Sequence, residues 1–83
     1  MKTLGTKISE YRKMKGMTQD ELAEKLNVSG QAVSKWENDL SIPDLPLLIE
    51  LAKFFHVTLD ELILHEEQIQ PVLLPAGARK DIN

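Results

Sequence analysis

The stretch TQDELAEKLNVSGQAVSKWEN, from Thr18 to Asn38, restricts the fold more than any other part of the chain. It holds two amphipathic segments, and only Asn27 and Val28 lie between Leu26, the last apolar residue of the first, and Ser29, where the second begins. Thr18 followed by Glu21 is a capping box, in which hydroxyl and carboxylate each satisfy an orphan backbone N–H at a helix start. Leu22, Ala23 and Leu26 then recur at helical spacing. Ser29 is a natural N-cap for the second segment, which runs to about Asn38 with Ala32, Val33 and Trp36 on its apolar side. No proline interrupts either segment, so a turn must separate them, and Asn27 tolerates the left-handed backbone a sharp turn requires. A turn this short joins two helices at roughly 90–120°. Small Ala23 lets them cross closely, while Val28 plugs the turn.

The same reading extends over most of the chain. Leu4, Ile8 and Tyr11 mark a first helix continuing through Met14 and ended by Gly16. Asp39 to Pro43 reads as a loop, and Pro43 or Asp44 starts a fourth helix that buries Leu47, Leu48, Leu51, Ala52 and Phe55. His56 ends it, at the negative end of the helix dipole. Thr58-Leu59-Asp60-Glu61 is a second capping box, opening a fifth helix with Leu59, Leu62 and Ile63 on its apolar side. No segment has a strand period. The expected fold is all-α, a compact five-helix bundle over residues 1–65. From 66 to 83 the pattern dissolves, with Pro71 and Pro75 bracketing Val72-Leu73-Leu74; this reads as a tail or a linker to a further C-terminal domain.

Composition limits what such a bundle does. With 83 residues, 42% of them hydrophobic, the chain holds one modest core. The absence of cysteine excludes disulfides and thiolate metal sites and suits a reducing compartment, so cytoplasm is the expected location. No segment approaches the ~20 apolar residues of a membrane helix, and the stretch MKTLGTKISEYRKMKG lacks the uninterrupted apolar run of a signal peptide. The net charge of -3 argues mildly against a nucleic-acid partner, but residues 1–15 carry Lys2, Lys7, Arg12, Lys13 and Lys15 against Glu10 alone. Binding to phosphate depends on local positive charge, although a lysine-rich run is often only a solvated face.

Residues 6–65 resemble the Cro/C1-type (XRE-like) helix-turn-helix domain of bacterial and phage transcriptional regulators. The likeness rests on TQDELAEKLNVSGQAVSKWEN, motif residues 18–38, followed by PDLPLLIELAKFFHVTLDEL. It implies a five-helix domain of the lambda-repressor-like type that binds double-stranded operator DNA as a homodimer, acting as a regulator and by expectation a repressor. Two positions depart from the family pattern. Asn27 stands where Gly is frequent, and Asp39 stands where Gly is common, bringing an acidic side chain near the expected DNA face.

In this motif the second helix enters the major groove. With Ala32, Val33 and Trp36 committed to packing, Gly30, Gln31, Ser34 and Lys35 are expected on its outward side as base readers. Gln31 can pair with adenine N6 and N7, Lys35 can reach guanine O6 and N7, and Gly30 has no side chain with which to read. Phosphate contacts are expected from Gln19 at a helix start, as in similar proteins, and from Arg12, Asn38, Ser29 and Lys13. Arg12 has an alternative, a structural bridge to Glu37. Leu59, Leu62 and Ile63 are the candidate dimer surface, extended by Val72 to Leu74.

Other chemistry finds little support. Trp36 shares a helical phase with Val33 and reads as core rather than a base-stacking platform. His56 and His65 lack ligand partners at metal-binding spacing, so no metal or other cofactor is expected. There is no cysteine nucleophile, H-E-x-x-H or glycine-rich phosphate loop, so the chain does not read as an enzyme. The rival is a protein-interaction module, such as an antitoxin-like or anti-activator subunit, which the acidic balance of residues 16–65 keeps open.

Overall fold

The computed structural model describes residues 2–64. They form five α-helices and no strand: α1 Leu4–Met14, α2 Gln19–Leu26, α3 Gly30–Glu37, α4 Leu45–Phe55 and α5 Leu59–Ile63. Every one begins with an oxygen-bearing N-cap. Thr3, Thr18, Ser29, Asp44 and Thr58 each accept a hydrogen bond from the backbone N–H three residues on. At Thr18 and Thr58 the capping box is complete, since Glu21 and Glu61 accept in return from the threonine N–H, both at 2.8 Å.

The helix ends share one device. Gly16, Asn27, Asp39 and His56 all have left-handed backbones, with φ of 68°, 60°, 59° and 60°. The next residue in each case donates back across five positions: Met17 N to Arg12 O, Val28 N to Ala23 O, Leu40 N to Lys35 O and Val57 N to Ala52 O. This is the Schellman ending, which satisfies carbonyls that the helix leaves open. Glycine adopts the conformation without penalty, and Asn, Asp and His are the side chains that tolerate it best. Asp39 thus occupies a left-handed corner where glycine is common, and His56 stops α4 through its backbone conformation.

Ile8, Leu22, Leu51, Leu62 and Val33 are completely enclosed, and Ala23, Leu26, Trp36, Ala52 and Phe55 complete the core. Each large side chain buried in this way contributes about 1.5–3 kcal/mol. Trp36 is therefore core. So is Leu62, which corrects its assignment to a dimer surface: a side chain with no exposed area has nothing to offer a second copy. Leu59 packs partly against the core, and Ile63 alone of the three stays 40% exposed. His65, and the expected tail from 66 to 83 with Val72 to Leu74, lie outside the described residues.

Helix α1 is tied to the others by polar contacts spanning most of the domain. Lys7 is only 5% exposed, and its ammonium donates to the carbonyls of Glu61, at 2.8 Å, and Leu64. A lysine there satisfies the end of α5, where a cation is favoured. Asp39 accepts from the Thr3 hydroxyl at 2.8 Å and the Gly5 N–H at 3.1 Å, so its carboxylate is turned toward the first turn of α1. Gly5 permits this approach, because a Cβ there would overlap the Trp36 carbonyl oxygen.

Candidate nucleic-acid interface

Helix α3 divides cleanly into two sides. Val33 and Trp36 are buried, Gln31 and Lys35 are exposed, and Ser34 is partly exposed. The Ser29 hydroxyl caps the helix by accepting from Ala32 N at 3.1 Å, and at the other end Asn38 Nδ2 donates to Ser34 O at 2.9 Å. Both residues remain exposed. Gly30 differs from the expectation of an open, outward position. A Cβ added there would overlap a carboxylate oxygen of Asp20 and lie 3.3 Å from its Cγ, so residue 30 has α2 packed against it.

One carboxylate organises the back of this surface. Glu37 Oε2 accepts from Arg12 Nε at 2.7 Å, while Oε1 accepts from Arg12 Nη2 at 3.1 Å and from Gln19 Nε2 at 2.9 Å. Arg12 Nη1 donates to Met17 O at 2.7 Å. With side-chain exposures of 11% and 6%, Arg12 and Glu37 form a largely desolvated pair bracing α1 against α3. Burial pushes the Glu37 carboxyl up, but the hydrogen bonds from Arg12 and Gln19, with the charges of Arg12 and Lys13, outweigh it and hold the group below the ordinary range. For Arg12 the hydrogen bond to Glu37 raises the pKa against the effect of burial. The bracing alternative for Arg12 is thus the arrangement found, and three of its nitrogens are engaged within the protein.

Gln19 keeps a second amide hydrogen beyond the one given to Glu37, and it stands at the first position of α2, where backbone N–H groups lack helical acceptors. Lys13 is exposed. The basic amino-terminal run, however, is not a free basic face. Lys2 pairs with Glu10 at 3.1 Å, Lys7 is buried, Arg12 is braced, and Lys15 lies 4.9 Å from the centroid of the Phe54 ring. Among the described residues no group of three or more His, Asp or Glu side chains is arranged to hold a metal ion.

The sequence missed three residues that shape this region: Lys7, Asp20 and the bracing role of Asp39. Lys7 had a legible sign, because it falls between Leu4, Ile8 and Tyr11 on the apolar stripe of α1.

A family model described as helix-turn-helix matches residues 8–62, two thirds of the chain and all the elements that build the surface. The chain belongs to this family. A member similar to it is the transcriptional activator BcrR of Enterococcus faecalis, 46% identical over 63 residues, covering 76% of this chain and 31% of that protein. Another is the transcriptional regulator ImmR of Bacillus subtilis (strain 168), 37% identical over 65 residues, covering 78% of this chain and 51% of that protein. The chain therefore spans about a third to a half of these curated relatives. Among solved structures, the P22 c2 repressor in complex with a synthetic operator superposes with a TM-score of 0.72 at 28% identity, covering 76% of this chain and 96% of that one.

Proposed function

We propose that this domain binds double-stranded operator DNA as a bacterial or phage transcriptional regulator, with α3 in the major groove. The observation that carries the reading is the division of α3: Gln31 and Lys35 stand exposed on a helix whose other side is sealed and whose attitude is set by the Arg12–Glu37–Gln19 network. In this role Gln31 and Lys35 read base edges, Ser34 contacts a base or phosphate, and Gln19, Ser29, Lys13 and Asn38 hold the backbone. Arg12 acts through the helices it braces. The P22 c2 repressor, with its operator, supports the docking by its likeness of fold. Occupancy of an operator represses directly by excluding polymerase; BcrR, an activator, is among the proteins this chain resembles, and the same docking suits that outcome too. The location is cytoplasmic, in keeping with the absence, among the described residues, of any helix long and apolar enough to cross a membrane.

The protein acts as a homodimer on this reading. Ile42, Leu45 and Ile49 are 75%, 59% and 37% exposed, and Ile42 and Ile63 line an apolar cleft of about 350 Å³ beside Leu4, Trp36 and Leu48. A two-fold pair matches half-sites about one helical turn apart. The same exposed apolar side chains are what a protein-interaction module would use, so selection from a random duplex library decides. An enriched two-fold motif is expected, with Gln31→Ala and Lys35→Ala relaxing single positions and Lys13→Ala weakening all sites alike. Log affinity falls by about 0.9 per neutralised phosphate against log salt, and with most of the amino-terminal cations engaged the slope is shallow. Enrichment of no sequence by folded protein would sink the reading in favour of a protein partner.

A further inference from the structure

Gly30 is the first residue of α3, at the end that the docking proposed above turns toward the base edges, yet glycine carries nothing with which to read a base. The space beside it is filled all the same. The Asp20 carboxylate, from the second position of α2, lies so close that a Cβ on residue 30 would overlap one of its oxygens. Asp20 is exposed, and among the described residues its carboxylate has no hydrogen-bond or ion-pair partner. Its neighbours on the same side are Glu21, Ala23, Glu24, Asn27 and Val28, with no cation among them.

We propose that Asp20 is a specificity-determining residue that reads in place of residue 30, its carboxylate accepting from the N4 amine of a cytosine in the major groove. The assignment rests on the DNA-binding reading above. Geometrically, α2 delivers a side chain to the start of the recognition helix where α3 itself supplies none, and glycine at residue 30 leaves the carboxylate the space that a Cβ would take. Chemically, an ionised carboxylate only accepts. Guanine offers O6 and N7 lone pairs and thymine offers O4, so both repel it; adenine sets the N7 lone pair beside its N6 donor; cytosine presents its N4 donor with no acceptor on its own edge. The same charge repels phosphate, which keeps Asp20 from serving as a backbone contact and disfavours misregistered binding.

The test is duplex-library selection on the full chain and on three variants, Asp20→Ala, Asp20→Asn and Gly30→Ser. The wild type should require cytosine at one position of each half-site. Asp20→Ala should lose that preference by roughly 5- to 150-fold, the range of one good base contact, and leave the other positions intact. Asp20→Asn should turn the same position toward adenine, whose N6 and N7 an amide matches. Gly30→Ser, by displacing the carboxylate, should lose that position again. A motif unchanged at every position in Asp20→Ala, with affinity raised uniformly, would overturn the proposal, since the carboxylate would then merely repel DNA. If the wild type enriches no sequence, the DNA-binding reading itself fails and this assignment falls with it.

Discussion

Replacement of Glu37 by Gln tests the bracing network most severely. The substitution keeps the shape of the side chain and removes the charge facing Arg12, whose side chain is only 11% exposed. An exposed pair would contribute about 0.2–1 kcal/mol. Here the guanidinium is left desolvated beside an amide, and breaking a buried pair from one side costs about 3–5 kcal/mol. A domain of this size has roughly 4–12 kcal/mol of folding stability in all, so the loss is a large fraction of the total. The melting midpoint should fall by at least about 12 °C. Removing both charges, as in Arg12→Met with Glu37→Met, should cost less than Glu37→Gln alone, because no stranded charge remains. Urea unfolding followed by far-UV circular dichroism and by the fluorescence of Trp36, the sole tryptophan, measures all three proteins. A Glu37→Gln protein within about 1 kcal/mol of the parent would refute the reasoning, since water would then be solvating the pair. The pH dependence follows the same logic. Glu37 has its carboxyl lowered in the folded state, so its stabilisation is complete above the unfolded value of about 4.3 and is lost as pH falls through the folded one. Arg12, raised from an already basic value, stays charged throughout this window. Glu37→Gln should therefore flatten the acid limb of the stability profile.

Lys7→Met preserves the buried stem but removes the donor to the Glu61 and Leu64 carbonyls; a loss of about 1.5–3 kcal/mol is expected, with faster hydrogen exchange at the end of α5 as the local readout. Gly5→Ala should lower stability by about 1–3 kcal/mol even though alanine is the better helix former, because its Cβ meets the Trp36 carbonyl; a more stable variant in urea titration would contradict that contact. His56→Gly relieves a left-handed backbone at the cost of unfolded-state entropy and should raise stability by roughly 0.5–1 kcal/mol, measured as an increase in melting midpoint.

The helices were legible because each is announced locally. Thr18 with Glu21, Thr58 with Glu61, Ser29 and Asp44 are caps that depend on residues three positions away, and the stripes Leu22-Ala23-Leu26 and Leu47-Leu48-Leu51-Ala52-Phe55 are periodic in the chain itself. The turn at Asn27 was legible for the same reason. What could not be read were the long-range polar pairings. Asp39 read as an acidic intrusion on a DNA face, yet its carboxylate is turned to Thr3 and Gly5, residues 34 to 36 positions away. Lys7 read as part of a basic run because the charge count ignores that α5 folds back over it. Leu62 and Ile63 are neighbours on a five-residue helix, and periodicity over so short a span does not say which of them faces inward. For Gly30, sequence spacing gives no sign that Asp20 approaches it.

The ties of α1 also bear on how the protein is made. Its acceptors at Glu37, Asp39, Glu61 and Leu64 all lie downstream of it. Synthesis proceeds from the amino terminus at roughly 5–20 residues per second, so α1 is made before any of them. The corners after α1 to α4 close over five positions and can form as they emerge, but the Lys7 ammonium has its full set of partners only when Leu64 is clear of the exit tunnel. A nascent chain stalled short of that residue holds helices without a sealed bundle, and its apolar stripes remain open to chaperones until the last turn of α5 arrives.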